Sequence, residues 1–148
     1  MTQHREIACA IVIDCFGRFL LQQRDNIPGI LYPGKVALFG GHREGNETFL
    51  ECAARELHEE LSYFIAPERF EHFFSYQGPD WDQSGATLHG EFFVVRDIPP
   101  DQITVTEGTL LIIDPNAGLD DLHAKLAPSA ACALNAYAAK EGMIGFEL

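Results

Sequence analysis

The chain has 148 residues, of which 22 are acidic and 10 are basic, giving a formal net charge of −12. This length suits a single domain that spans residues 1–148. A surface this acidic repels the phosphates of nucleic acids and of anionic membranes, so neither is an expected partner. A small anionic substrate fits the charge only if something neutralises it locally, and a divalent cation is the simplest candidate.

The four cysteines, Cys9, Cys15, Cys52 and Cys132, contain no C-x-x-C pair. The spacing therefore signals neither a zinc site nor a thioredoxin-like motif, and we expect small buried apolar residues. Residues 1–6 are polar and lack the apolar core of a signal peptide. No apolar run approaches the ~20 residues that span a bilayer. These features predict a reducing, cytoplasmic setting.

The first forty residues predict a strand hairpin and a loop. Residues 7–13 are almost all apolar, and a second strand at residues 18–23 follows a turn at residues 14–17. Residues 25–35 contain two prolines and two glycines, which indicates a loop. A short strand at residues 36–39 then leads into Gly40-Gly41.

A helix is predicted at residues 47–61. The apolar residues Leu50, Ala53, Ala54, Leu57 and Leu61 recur at helical spacing and form one stripe. Thr48 and Glu51 have the spacing of a capping box at the start of this helix.

The second half of the chain alternates between strand and helix patterns. Strands are predicted at residues 70–76, 88–96 and 103–113, the last one interrupted near Glu107. The segment 77–86 is rich in Gly, Pro, Asp and Ser, which indicates an exposed loop. Helices are predicted at residues 119–126 and 129–141. This intermixing favours a mixed sheet packed between helices.

The predicted helix carries an acidic cluster near its end. Glu56, Glu59 and Glu60 are spaced i, i+3 and i+4, so their carboxylates share one face. The helix dipole disfavours negative charge there by about 0.3–1 kcal/mol per group. A bound hard cation such as Mg²⁺ or Mn²⁺ would offset this unfavourable energy, because it prefers carboxylate oxygens as ligands. The alternative interpretation is that the three glutamates form only a solvated surface face. Gly40-Gly41 before the helix permits a close approach of backbone, and Arg55 has the spacing to pair with Glu51 or Glu59.

These positions resemble the Nudix box, whose pattern is G-x5-E-x7-R-E-U-x-E-E-x-G-U, where U is apolar. The match covers residues 41–63 and includes Gly41, Glu47, Arg55 and the three glutamates. One fixed position departs from the pattern, because Ser62 stands where the family has Gly. That Gly usually supplies a flexible or left-handed turn, which Ser adopts at a modest energetic cost.

The resemblance implies an α/β/α sandwich with a mixed central sheet, and hydrolysis of a phosphoanhydride that depends on Mg²⁺ or Mn²⁺. The implied metal ligands are Glu56, Glu59, Glu60 and a backbone carbonyl near Gly41. Arg55 and Glu47 are implied to orient those ligands through an ion pair. The general base is left open between Glu56 or Glu59 of the box and Glu107 from a later loop.

Three further residues are candidates for contact with substrate. Arg24 ends a strand that points toward the site in this fold, so it is a candidate for the phosphates. Phe39 and Trp81 are candidates for stacking on a base or sugar, although Phe39 is also a candidate core residue. Each also has an alternative structural role: Phe39 in the core, Arg24 in a surface ion pair and Trp81 in an exposed loop.

The resemblance favours a nucleoside diphosphate linked to a sugar or a similar group as the substrate. Pro79 lies 16 residues after the box, a spacing that resembles members acting on ADP-ribose. Turn chemistry explains the same proline equally well. Two alternatives remain open: a nucleoside triphosphate pyrophosphohydrolase and a catalytically silent nucleotide-binding module. A homodimer is also compatible with the family.

Overall fold

The computed structural model describes residues 3–116, 122 and 124–142, which contain seven strands and two α-helices. The strands are β1 (His4–Asp14), β2 (Phe19–Gln23), β3 (Val36–Ala37), β4 (Phe39–His42), β5 (Glu71–Pro79), β6 (Thr87–Ile98) and β7 (Thr109–Ile113). The helices are α1 (Phe49–Leu61) and α2 (Pro128–Glu141). Within the described residues, neither helix combines the length and the apolar character needed to cross a membrane.

Strand β1 is the centre of the sheet. It pairs in parallel with β6 along most of its length, and β5 lies antiparallel on the far side of β6. On its other side, residues 7–10 pair with β4 and residues 12–13 pair with β2, both antiparallel. Strand β2 also pairs with β3 and β7. Parallel and antiparallel pairs share one sheet, which confirms the predicted mixed sheet.

Both faces of the sheet are apolar because successive side chains of a strand point to opposite sides. The odd-numbered residues 7, 9 and 11 of β1 pack in a cluster with Leu134 and Tyr137 of α2. The even-numbered residues 8, 10 and 12 pack in a second cluster with Leu57 and Leu61 of α1. The helices therefore cover both faces, and the predicted α/β/α sandwich is confirmed.

Helix α1 begins two residues later than predicted and has a defined residue at each end. The Glu51 amide donates to the Thr48 hydroxyl at 3.0 Å, and the Thr48 amide donates to the Glu51 carboxylate at 3.0 Å. This reciprocal pair is the predicted capping box. At the other end, Ser62 adopts the left-handed conformation with φ 52° and ψ 36°. Serine thus occupies the turn for which the Nudix box uses glycine.

Two predictions about the second half are wrong. The predicted strand at residues 103–113 is a strand only from Thr109 to Ile113, because the preceding residues bond to the end of α1 instead. The predicted loop at residues 77–86 is not uniformly exposed. Strand β5 continues to Pro79, and the side chain of Asp80 is fully buried in an ion pair.

The remaining expectations concern the helix predicted at residues 119–126 and the burial of the cysteines. The predicted helix at residues 119–126 falls mainly outside the described residues. Cys9 and Cys52 are buried as expected, but Cys15 is exposed in the first hairpin turn and does not act as a core residue.

Candidate active site

Strand β4 brings a glycine pair against the acidic face of α1. Gly40 pairs with Cys9 of β1 at φ 149°, where a side chain would overlap the backbone of β1 at Ala8 and Cys9. Gly41 faces the helix, and a β-carbon at this residue would lie 2.5 Å from the Glu56 carboxylate. The two glycines therefore let the strand, the helix and the Glu56 carboxylate approach one another without any side chain between them.

The Glu60 carboxylate lies largely buried beside the same strand. It accepts a hydrogen bond from the Gly40 amide at 3.1 Å. Burial raises the pKa of this carboxyl to about 8, and the negative charges of Glu56 and Glu107 act in the same direction. A carboxylate held in this way binds a proton at neutral pH unless a cation compensates its charge.

Arg55 braces the acidic face from one side. Its guanidinium donates to both oxygens of Glu47, at 2.7 and 3.0 Å, and to the carbonyl of His42 at 3.1 Å. It also donates to Glu56 at 3.0 Å and, at 3.5 Å, to Glu59. The hydrogen bonds from Arg55 lower the pKa of Glu47 to about 2. Glu51, the other predicted partner of Arg55, forms the capping box instead.

The segment before β7 closes the end of α1. The amides of Thr104 and Thr106 donate at 3.0 Å to the carbonyls of Leu61 and Glu60, which have no partner within the helix. The side-chain amide of Gln22 holds the next residue by donating to the Glu107 carbonyl at 3.0 Å. These bonds place Glu107 close enough for its charge to act on Glu60.

The donor set suits a hard divalent cation, because the Glu56 and Glu60 carboxylates lie beside the glycine pair and Glu59 follows on the same helix. The buried Glu60 carboxyl, whose pKa is raised, is the observation that supports this fit. Among the residues that the structure describes, no three His, Cys, Asp or Glu side chains form a ready-made cluster around a common point. Glu59 is 61% exposed and contacts Arg55 only at 3.5 Å. Its carboxylate is therefore free to turn toward an ion.

Two cavities lie beside Arg24, the residue that follows strand β2. The larger, of about 330 Å³, extends from Gly40 and Gly41 past Arg24 to Trp81 and Asp82. The smaller, of about 250 Å³, is lined by Gln22, Arg24, Glu107 and residues of the 25–30 loop. Arg24 and Ile30 line both cavities, so the two spaces meet at the Arg24 side chain.

Of the three predicted substrate-contacting residues, Arg24 and Trp81 lie at the larger cavity. The metal-ligand candidates Glu56, Glu59 and Glu60 line neither cavity. Gly41, Arg24 and Trp81 line the larger cavity, and Glu107 lines the smaller one. The Arg24 guanidinium donates to the Leu31 carbonyl at 2.6 Å, which fixes it between the two spaces. Phe39 is the exception. Its ring is fully buried under α1, so it is a core residue and does not stack on a ligand.

A polar group at the far end of the larger cavity was not predicted from the sequence. It consists of Arg5, Asp80, Asp82 and Tyr32, which come from three separate segments. The only available signal was an Asp-Trp-Asp run inside a segment interpreted as an exposed loop. A partner as distant in sequence as Arg5 gives no local pattern.

Comparison with known proteins places the chain among relatives of the same architecture. Residues 3–112 match the family described as NUDIX domain, and no curated protein sequence matches the chain significantly. The solution structure of the E. coli ORF135 protein is 23% identical, with a TM-score of 0.72 over 99% of this chain and 96% of that one. A MutT NUDIX hydrolase from Burkholderia pseudomallei is 23% identical, with a TM-score of 0.70 over 90% and 97%.

A third solved structure differs in size. It is a bifunctional NMN adenylyltransferase/ADP ribose pyrophosphatase from Francisella tularensis, complexed with AMP and a Mn ion. It is 19% identical, with a TM-score of 0.68 over 95% of this chain and 42% of that one. Identities this low show a shared fold, whereas the family match spans most of the chain and includes the whole box. The glycine pair, the braced acidic helix and this match together identify the chain as a member of the NUDIX domain family.

Proposed function

We propose that the chain hydrolyses a phosphoanhydride in a nucleoside diphosphate linked to a second group, with Mg²⁺ or Mn²⁺ held by Glu56, Glu59 and Glu60. The pair of cavities that meet at Arg24 carries this proposal. The larger has room for a nucleoside, and the smaller offers space for the group beyond the diphosphate. A triphosphate would leave that second space without an organic group.

The arrangement of side chains suggests how the reaction proceeds. Glu56, Glu59 and Glu60 would hold a divalent ion, which would supply charge neutralisation of the diphosphate and a lower pKa for the attacking water. Arg24 binds the phosphates at the junction of the cavities. Gly41 lines the larger cavity and lies against the Glu56 carboxylate, so this end of the cavity is next to the acidic face of α1. Glu107 lines the smaller cavity and accepts the proton of the attacking water there. Glu56 and Glu59 are the alternative proton acceptors.

The structural neighbours support the substrate class. The Francisella protein is described as an ADP ribose pyrophosphatase and was solved with AMP and Mn. The Burkholderia protein is described as a MutT NUDIX hydrolase, a description that names no substrate. A nucleoside triphosphate is the second candidate substrate. A silent nucleotide-binding module is the remaining alternative, but all four box glutamates are present in this chain.

A product analysis separates these candidates. The protein is incubated with nucleotide sugars, ADP-ribose and nucleoside triphosphates, with and without Mg²⁺, and the products are identified by mass. Two monophosphorylated products from a linked diphosphate are expected. Release of inorganic pyrophosphate as the main product would favour the triphosphate reaction, and binding without turnover at any Mg²⁺ concentration would favour the silent module.

A matched pair of variants tests the metal ligands. Glu60→Gln removes the buried carboxylate while keeping its shape, and activity should fall at least about a hundredfold with the fold retained. Glu51→Gln changes a glutamate of the same helix that serves only the capping box, in which Gln also functions. Its activity should equal that of the unmodified protein. Equal losses in both variants would contradict the assignment of Glu60.

A further inference from the structure

The far end of the larger cavity contains a buried ion pair that the proposed reaction does not use. The Arg5 guanidinium donates to both oxygens of Asp80, at 2.7 and 3.0 Å, and the Asp80 side chain is fully buried. Asp80 also accepts from the Asp82 amide at 2.9 Å, which fixes the backbone between them. This bidentate pair therefore anchors the loop after β5 to strand β1.

Asp82 extends from this anchor into the cavity. One of its oxygens accepts from Arg5 at 3.0 Å, and its side chain remains 12% exposed at the cavity wall. Burial, together with a hydrogen bond to Asp82, raises the pKa of the Tyr32 phenol, which lines the same wall. Tyr32 has a φ of 50°, a conformation that a bulky side chain adopts only when its surroundings enforce it. Arg5 and Tyr32 use two of the roughly four acceptor positions of the Asp82 carboxylate, which leaves capacity for a further donor.

Aromatic and aliphatic side chains also line this cavity, beside the polar side chains of Arg5 and His42. Trp81 stacks on Tyr76 with ring centroids 4.2 Å apart and an interplanar angle of 29°. The Tyr76 hydroxyl donates to the Pro79 carbonyl at 2.7 Å, so the supporting ring is itself fixed. The aliphatic side chains of Ile7 and Leu88 complete the wall. A planar ring fits such a surface, since stacking on an indole needs no particular substituent.

We propose that this end of the cavity binds the nucleobase of the substrate and selects bases that carry an exocyclic amino group, through acceptance of its N–H by Asp82. The proposal rests on the nucleotide substrate class proposed above and specifies its base. Asp80 acts as a positioning residue, because it bonds the Asp82 amide and anchors Arg5. Arg5 holds the Asp82 carboxylate and also lines the cavity.

The selection follows from the chemistry of a carboxylate. An ionised carboxylate only accepts hydrogen bonds, so it attracts an amino group and repels a carbonyl oxygen at the same place. Cytosine carries an amino group where uracil carries a carbonyl oxygen, and adenine and hypoxanthine differ in the same way. In each pair the adjacent ring nitrogen also changes, from an acceptor to an N–H donor, so the selection depends on Asp82 meeting the exocyclic group. A buried polar group of a protein that hydrogen-bonds one substituent discriminates against an analogue without that substituent, because the protein group is then left unpaired.

Binding can be measured without turnover because Trp81 is the single tryptophan of the chain. Its fluorescence is titrated with CMP against UMP, and with AMP against IMP, in EDTA. In both pairs the amino-bearing nucleotide should bind at least about tenfold more tightly. Equal affinities within both pairs would overturn the proposal, and so would an unchanged Trp81 signal in a protein that still hydrolyses nucleotides.

Two variants assign the selection to Asp82. Asp82→Asn supplies an amide that also donates, so the preference for the amino member should disappear or reverse in both pairs. Tyr32→Phe keeps the ring and the carboxylate and should retain a preference. Asp101→Asn, on an exposed turn away from the cavity, serves as the matched control with unchanged ratios. A full preference retained in Asp82→Asn would refute the role of Asp82.

The outcome is distinguishable from failure of the proposed function. Discrimination between the nucleotides without hydrolysis under Mg²⁺ would refute the reaction and leave the base site intact. Hydrolysis under Mg²⁺ without discrimination between the nucleotides would support the reaction and refute the base site.

Discussion

The Glu56 carboxylate lies against the backbone of Gly41 so closely that a β-carbon there would be 2.5 Å from its Cδ. The neighbouring Gly40 has a different reason to lack a side chain, because its β-carbon would meet the backbone carbonyl of Ala8. One glycine therefore leaves space for a flexible carboxylate, and the other leaves space for the sheet itself.

This contrast predicts different effects of the same substitution. Gly41→Ala should displace the Glu56 carboxylate, reducing hydrolysis about 10–100-fold while the free energy of unfolding falls by less than about 1 kcal/mol. Gly40→Ala should lower the free energy of unfolding by about 3 kcal/mol, since backbone cannot move aside as a side-chain end does. Urea unfolding and initial rates measure both effects. Equal stability losses would contradict the contrast.

Ser62 is predicted to be a site where glycine improves stability. Its φ of 52° carries a cost for any residue with a β-carbon. Ser62→Gly should raise the free energy of unfolding by about 0.5–1 kcal/mol, a rise of roughly 1–4 °C in Tm. Ser62→Ala keeps the β-carbon and provides the control, which should show no gain. Calorimetry of the three proteins decides between these outcomes.

The Glu47–Arg55 pair predicts a dependence of stability on pH. Because the folded protein holds the pKa of Glu47 at about 2, below its ordinary value of 4.5, the ionised form is favoured by folding. The resulting stabilisation is complete above pH 4.5 and is lost as the pH falls toward 2.

Glu47→Gln should therefore destabilise the protein by about 2 kcal/mol at pH 7, and the difference should shrink as the pH falls below 4.5. Glu44→Gln is the matched control, because Glu44 is exposed and 3.9 Å from Arg55. It should change stability by less than about 0.5 kcal/mol at any pH. Denaturant titrations between pH 7 and pH 3 measure both variants. A difference for Glu47→Gln that stays constant with pH would exclude this ion pair as its cause.

Addition of Mg²⁺ is predicted to stabilise the folded chain. An ion that binds only the folded state at a concentration 100 times its Kd contributes about 2.7 kcal/mol, which raises Tm by roughly 5–11 °C. The rise should be largely absent in Glu60→Gln and intact in Glu51→Gln. Thermal melts with Mg²⁺ and with EDTA test this. No rise in the unmodified protein, even with nucleotide present, would argue against a metal site on α1.

Local sequence patterns predicted the elements whose causes are themselves local. The capping box of Thr48 and Glu51 and the left-handed Ser62 depend on residues a few positions apart. The acidic face of α1 follows from helical spacing alone. Strand β1 was predicted from its apolar run, because both of its faces are covered by helices.

Patterns failed where a distant partner decides the structure. Residues 103–106 have strand-like composition, yet Thr104 and Thr106 bond to carbonyls at the end of α1. Asp80 lies in a segment with the composition of an exposed loop, but Arg5 pairs with it and buries it. Such pairings carry no local signal, since hydrogen-bonding partners far apart in sequence meet only after folding.

The sequence alone therefore determined the helix, its caps, the acidic cluster and the resemblance to the Nudix box, because each depends on spacing within a short segment. Only the tertiary structure decided that Phe39 is core, that the charge of Glu107 contributes to the raised pKa of Glu60, and that two cavities meet at Arg24. The physical reason is that cavities and buried charges arise between segments, where packing and desolvation depend on what the rest of the chain places beside each residue.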